Sequence, residues 1–149
     1  EVCAATKNIY SMLIGASEGL SSKSQSNEIK NKYYLNTAAS LAYKAVSEMK
    51  NLTKKLSGKQ ETAYGLAGLG DLYVSSAGGR NSKMGYYLGQ GHLFKDAKEK
   101  FMKDVTVEGA DLAFAIGSKI LKEFKKEEFP LLLSVVDCIC SNKKLEINW

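Results

Sequence analysis

Tyr34-Leu35-Asn36-Thr37-Ala38-Ala39-Ser40-Leu41-Ala42-Tyr43-Lys44-Ala45-Val46-Ser47-Glu48-Met49-Lys50-Asn51-Leu52-Thr53-Lys54-Lys55-Leu56 is the stretch that decides the fold class. Tyr34, Ala38, Leu41, Ala42, Ala45, Met49, Leu52 and Leu56 recur at steps of three and four. That spacing lines one face of a helix and fits no strand, whose side chains alternate every two residues. It predicts one long, central helix from about Glu28 to Leu56.

The same period runs outward in both directions. Upstream, from about Val2 to Ala16, Ala5, Ile9, Met12, Leu13 and Ala16 share one side of a helix, while Lys7, Ser11 and Ile14 fall on another. Lys7 can thus project from a packed helix into a cleft. Gly15 to Asn27, rich in Ser and Gly, reads as a loop, and a second break surrounds Gly58. From Glu61 to Ser75 the pattern is helical but crossed by Gly65, Gly68 and Gly70. Each such glycine costs about 1 kcal/mol inside a helix and marks close backbone approach. Asn81 suits the N-cap of a helix carrying Met84, Tyr87 and Leu88. Phe94, Ala97 and Phe101 predict a short helix, and Ala110 to Phe124 a longer one with Ala113, Phe114, Gly117, Ile120, Leu121 and Phe124 inward. Pro130 fits the first residue of a final helix ending near Cys140. No strand succession or internal repeat is visible, so the expectation is an all-α multi-helix bundle over residues 1–149 with a glycine-rich site in its middle.

Composition narrows the function classes. The 149 residues are 44% hydrophobic with one proline, enough for one domain with a real core. No run of about eighteen apolar residues exists, so no membrane span is expected, and the start lacks the pattern of a signal peptide. The chain begins at Glu1, already inside an apolar pattern, which suggests a piece of a longer polypeptide. A formal charge of +5 would permit nucleic-acid binding. The lysines, however, are interleaved with acids, as in Lys95-Asp96-Ala97-Lys98-Glu99-Lys100 and Lys125-Lys126-Glu127-Glu128. Such runs read as solvated helix faces, and no nucleic-acid partner is expected. Cys138 and Cys140 sit about 200° apart around a helix and, with His92 the only histidine, leave no spacing for a metal site. Together with Cys3 they read as buried, reduced thiols of a cytoplasmic protein.

Arg80 is the only arginine in a chain that otherwise carries its positive charge on lysine. Its rigid fork grips a phosphate or carboxylate through two bonds, so its expected partner is an anion. The pair Arg80-Asn81 would stand at a helix N-terminus, where free N–H groups favour anions. Lys7, Asp71, Arg80 and Asn81 make a candidate active-site set: a lysine in a partly desolvated cleft can give a proton to a carbonyl oxygen or take one from a hydroxyl. Gly65-Leu66-Ala67-Gly68-Leu69-Gly70 lacks the following lysine of a P-loop and the preceding strand of a dinucleotide fingerprint, so helix packing is its first explanation.

These residues also carry a family likeness. Val2-Cys3-Ala4-Ala5-Thr6-Lys7-Asn8 resembles the Gly-Ala-Leu-Lys-Asn segment of NAD(P)-dependent glycerol-3-phosphate dehydrogenases. Gly65-Leu66-Ala67-Gly68-Leu69-Gly70-Asp71-Leu72 resembles their bacterial signature almost letter for letter, and Gly79-Arg80-Asn81, Leu88-Gly89-Gln90-Gly91 and Val107-Glu108-Gly109 resemble later elements in the same order. The resemblance covers nearly the entire chain. It implies the helical C-terminal substrate domain of such an enzyme, similar in shape to the helical domains of 6-phosphogluconate-dehydrogenase-like proteins. The N-terminal Rossmann domain, which would hold most of the NAD or NADP, lies outside this sequence. The implied reaction interconverts sn-glycerol 3-phosphate and dihydroxyacetone phosphate and feeds glycerophospholipid synthesis. The resemblance also implies a homodimer.

By the same resemblance Lys7 would exchange the proton at the C2 oxygen, with Asn8 beside it. Asp71 would position Lys7 and the substrate, and Gly79, Arg80 and Asn81 would hold the substrate. Arg80, Thr106 and Glu108 would reach the cofactor. Three positions depart from the family pattern: Thr6 stands for leucine, Gly79 for a serine common in bacterial members, and Thr106 for valine. Gly79 leaves only backbone contact at that point. Ser75, one helical turn after Asp71, is a further candidate for the lining. Two other readings remain open: a related dehydrogenase acting on another small hydroxy acid, and a non-catalytic helical binding or assembly module whose glycines serve packing alone.

Overall fold

The computed structural model describes residues 1–23 and 27–147, with the backbone alone over 27–33. Among the described residues seven α-helices follow one another: α1 Val2–Ser21, α2 Asn27–Lys55, α3 Asp71–Ser76, α4 Arg80–Gly89, α5 Phe94–Phe101, α6 Glu108–Glu123 and α7 Pro130–Cys140. Between α2 and α3 the chain makes a 3₁₀ helix, Gln60–Tyr64, and a π-helical turn, Leu66–Gly70. No strand occurs among the described residues, in agreement with the helical period.

The centre of the bundle is α1 rather than the long α2. Every residue from Ile9 to Ser17 is buried, and α1 packs against α2, α3, α4, α6 and α7. A helix covered all round needs no polar face. Its Ser11 and Ser17 hydroxyls donate back to Asn8 O and Ile14 O at 3.0 and 2.6 Å, which satisfies them without water. Ala5, expected inward, is exposed on the uncovered first turns. The stripe on α2 buries Leu41, Ala45, Met49 and Leu52, whereas Leu56 lies beyond the last helical residue and is exposed.

The loop expected from Gly15 to Asn27 is largely helix: α1 runs on to Ser21 and α2 begins at Asn27, while residues 24–26 lie outside the described residues. Gly15 and Gly19 are there because α4 comes so close. A β-carbon on Gly15 would sit 2.0 Å from Ser82 O, and one on Gly19 1.9 Å from Tyr86 O. Reciprocally, Gly85 and Gly89 would place theirs 1.9 Å from Met12 O and 2.0 Å from Ala16 O. Two Gly-x-x-x-Gly faces therefore meet backbone to backbone, the spacing that puts small residues one turn apart.

α2 ends in a Schellman closure, with Gly58 N donating to Thr53 O at 2.8 Å and Ser57 N to Lys54 O at 3.0 Å. The left-handed residue is Ser57, at φ 61°, and not the adjacent glycine. α6 and α7 pack against each other and on α1. Of the residues expected inward on α6, Ala113, Gly117 and Ile120 are buried and Phe124 half-buried. Phe114 is 52% exposed and meets Phe94 edge to face at the rim, and Leu121 is 39% exposed. Pro130 opens α7 as its spacing predicts. The Glu48 carboxylate of α2 accepts Leu131 N and Leu132 N at 2.9 and 3.0 Å and the Tyr10 hydroxyl at 3.2 Å, capping α7 from within the core. Cys3 and Cys138 are buried and Cys140 half-buried, all three as free thiols. No described helix is long and apolar enough to cross a membrane.

Candidate active site

Lys7 leaves the uncovered first turns of α1 and meets Asp71, the first residue of α3, with Nζ 3.0 Å from Oδ2. The lysine side chain is 19% exposed and the carboxylate 46%. What aims Asp71 is the glycine-rich run before it. Gly65 is extended at φ −85°, ψ −169°, and Gly70 N then donates to Gly65 O at 3.2 Å, the five-residue closure of a π turn. A β-carbon on Gly68 would stand 2.2 Å from Ala63 O, so the turn closes only on glycine; at Gly65 the nearest such atom is 3.6 Å away. Close packing thus explains Gly68 and does not explain Gly65.

The short segment after α3 brings the second group in. Gly78, at φ +127°, turns the chain in a region closed to side chains. Gly79 N donates to Ser75 O at 3.3 Å, and a β-carbon on Gly79 would lie 2.7 Å from that oxygen. Ser75 therefore enters the site's framework through its carbonyl. Ser82 Oγ adds a bond to Ser76 O at 3.1 Å.

Gly79, and not Asn81, is the N-cap of α4. Asn81 sits inside the first turn and is buried, with its side chain turned to a different helix: Oδ1 accepts Gly109 N at 2.9 Å, and Nδ2 donates to Glu108 Oε2 at 3.1 Å. Arg80, 57% exposed, pairs through Nη2 with Glu108 Oε1. The anion expected beside Arg80 is here a carboxylate of the same chain. Gly109 closes the arrangement, since its missing β-carbon would lie 2.7 Å from Asn8 O.

These contacts form a circuit: Lys7 to Asp71, along α3 to Ser75 and Gly79, through Arg80 and Asn81 to Glu108 and Gly109, and back through Asn8 to Lys7. It gathers Lys7, Asn8, Asp71, Gly79, Arg80, Asn81 and Glu108. Thr106 is exposed in the α5–α6 connection and borders an adjoining cleft with Lys98, Asp104 and Asp111. Lys98 is the residue that sequence reasoning passed over. Placed with the solvated lysines, it instead donates to three backbone carbonyls, Met102 O, Lys103 O and Val105 O, at 2.8, 2.8 and 2.9 Å. Nothing in its spacing marks it apart from its neighbours.

Chemically, the site offers a largely buried ammonium held by a carboxylate, an exposed guanidinium, and the first turn of α4, whose leading N–H groups have no partner within their own helix; at α6 Gly109 N is already taken by Asn81. An ammonium at such a place can protonate a carbonyl oxygen, and the guanidinium and the α4 N-terminus suit phosphate charge.

Residues 1–148 match the model of the family described as NAD-dependent glycerol-3-phosphate dehydrogenase C-terminus. The chain is 36% identical over 130 residues to an NADP(+)-dependent glycerol-3-phosphate dehydrogenase of Archaeoglobus fulgidus, covering 84% of this chain and 37% of that one. It is 30% identical over 145 residues to a glycerol-3-phosphate dehydrogenase [NAD(P)+] of Fusobacterium nucleatum, covering 96% and 39%. The crystal structure of a glycerol-3-phosphate dehydrogenase from Coxiella burnetii superposes with a TM-score of 0.71 at 31% identity, covering 97% of this chain and 40% of that one. A yeast glycerol-3-phosphate dehydrogenase, at 22% identity and a TM-score of 0.75, shares the fold. The chain thus spans about 40% of the length of these relatives.

Proposed function

The chain belongs to the NAD-dependent glycerol-3-phosphate dehydrogenase C-terminal family, and from that membership we propose that it forms the substrate half of an enzyme interconverting sn-glycerol 3-phosphate and dihydroxyacetone phosphate. A dinucleotide-binding Rossmann domain of the same polypeptide would hold most of the NAD or NADP. The observation that carries the proposal is the circuit joining the Lys7–Asp71 pair to Arg80, Asn81 and Glu108.

In this reading Lys7 exchanges the proton at the C2 oxygen. During reduction it enters as the ammonium and gives its proton to the oxygen as the carbonyl becomes a hydroxyl; in oxidation the proton returns. Asp71, 3.0 Å from Nζ, stabilises the ammonium and fixes its direction. Asn8, the Gly79 backbone, Arg80 and Asn81 hold the substrate, with the guanidinium and the α4 N-terminus facing the phosphate. Arg80, Thr106 and Glu108 form this chain's side of the cofactor site, and an exposed guanidinium beside the first turn of α6 suits an anionic dinucleotide. When bound, the nicotinamide accepts or supplies the hydride at C2.

The proposal extends to a homodimer, for which exposed Leu35 and Tyr43 on α2 and Tyr73 on α3 offer apolar surface. It places the protein in the cytoplasm, where three free thiols suit a reducing compartment. Turnover of dihydroxyacetone phosphate set against unphosphorylated dihydroxyacetone tests the substrate class. A preference of at least about 100-fold that shrinks in Arg80→Lys supports the reading. Equal turnover of both would transfer it to a dehydrogenase of unphosphorylated hydroxy acids.

A further inference from the structure

We propose that Lys98 is a positioning residue for the cofactor side of the site, an inference that rests on the cofactor contacts of Thr106 and Glu108 proposed above. Lys98 lies in the last turns of α5, and its ammonium turns back under the connection to α6. All three of its donors are matched by carbonyls, those of Met102, Lys103 and Val105, at 2.8 to 2.9 Å. The charge sits where the helix dipole favours a cation, past the C-terminal end of α5.

What this tripod fixes is short and bounded. Met102 and Val107 are buried at 1% and 2% exposure and pin the two ends of the connection. Between them Val105 N donates to Met102 O at 3.1 Å, so the carbonyls gripped by Lys98 belong to one tight turn. The next residue is Thr106, and two residues further Glu108 receives Arg80 and Asn81. Without the ammonium, Met102 O would keep only Val105 N, the Lys103 and Val105 carbonyls would lose the donor that draws them together, and the turn would loosen. Lys98 thereby sets the height and direction of Thr106 and Glu108 against the cleft before any ligand arrives. It touches neither substrate nor cofactor and acts through the backbone.

A turn held in advance spares a bound ligand the ordering of that turn. The loss should therefore appear in cofactor affinity and not in the chemical step. The test is a fluorescence titration of NADH and NADPH against the intact polypeptide, wild type, Lys98→Met and Lys98→Arg, alongside steady-state kinetics with dihydroxyacetone phosphate. Lys98→Met is expected to weaken NAD(P)H binding about tenfold, with kcat and the KM for dihydroxyacetone phosphate within about twofold of wild type. Lys98→Arg, which keeps a fork of donors, is expected to recover most of the affinity.

Unchanged NAD(P)H affinity in a folded Lys98→Met protein overturns the inference. So does a parallel fall in affinity, kcat and thermal stability that Lys98→Arg fails to rescue, since that marks a merely structural lysine. A wild type that binds NAD(P)H with this variant pattern yet never turns over dihydroxyacetone phosphate contradicts the proposed reaction and leaves the role of Lys98 standing.

Discussion

Asn81 caps a helix to which it does not belong: its Oδ1 accepts Gly109 N at 2.9 Å, 28 residues on, in the first turn of α6. The same device recurs. Glu48 caps α7 and Asn142 Oδ1 accepts Lys95 N of α5 at 3.0 Å, while the N-cap residues of α5, α6 and α7 are Leu93, Val107 and Phe129, whose side chains cannot cap. Helix starts here are specified by tertiary contacts, so each cap is also a joint between elements.

Asn81→Ala breaks such a joint and orphans Gly109 N. We expect it to cost about 1–2 kcal/mol in urea unfolding. Arg80→Lys, altering a pair that is more than half exposed on the arginine side, should cost less than about 0.5 kcal/mol. Equal costs would show that Asn81 is not a structural cap.

Gly85→Ala drives a β-carbon to within 1.9 Å of Met12 O, a backbone atom that cannot step aside. The α1–α4 contact must separate, and the loss should reach about 3 kcal/mol or more. Gly65→Ala, with only an ordinary contact to Thr62 O at 3.6 Å and a negative φ, should stay under about 1 kcal/mol. A tolerated Gly85→Ala would disprove the close contact.

Ser57 ends α2 at φ 61°, where a side chain is disfavoured. Ser57→Gly relieves that and should raise stability by about 1 kcal/mol, read as a higher urea midpoint with an unchanged slope. A fall in stability would mean that the serine side chain contributes more than the backbone strain costs.

Burial first, and the charge of Asp137 second, push the Cys138 thiol up to about 12. Folding therefore favours the protonated thiol, and the stability tied to it is present below the ordinary cysteine value and is lost as pH rises towards 12. Because the thiolate is the nucleophile, Cys138 should resist iodoacetamide between pH 8 and 10 in the folded protein and label rapidly in denaturant. Peptide mass spectrometry reads this directly. Fast native labelling would contradict the burial.

The sequence shows its helices where side chains do the packing. The stripe of α2, the aromatic spacing of α5 and Pro130 at the start of α7 all mark real elements. It misleads where backbone does the packing: Gly15 and Gly19 look like a loop because helix propensity speaks only of isolated helices, while α4 rewards the absent side chains. The signal that could have revealed this is the repeated Gly-x-x-x-Gly at 15–19 and 85–89. Local capping rules misplaced Asn81 for a related reason, since they assume that a cap serves its own helix. Lys7 and Asp71, sixty-four positions apart, carry no periodic link: the chemistry of their side chains put both in one candidate set, and the ordered motifs of the family resemblance gave the reason to pair them, but only the fold shows the contact.

The most direct test of the central claim is NAD(P)H oxidation by the intact polypeptide with dihydroxyacetone phosphate, beside its Lys7→Ala variant. The account predicts robust turnover that falls by about a thousandfold in Lys7→Ala while the helical circular dichroism stays unchanged. Near-normal turnover in Lys7→Ala, or none in the folded wild type, would contradict it.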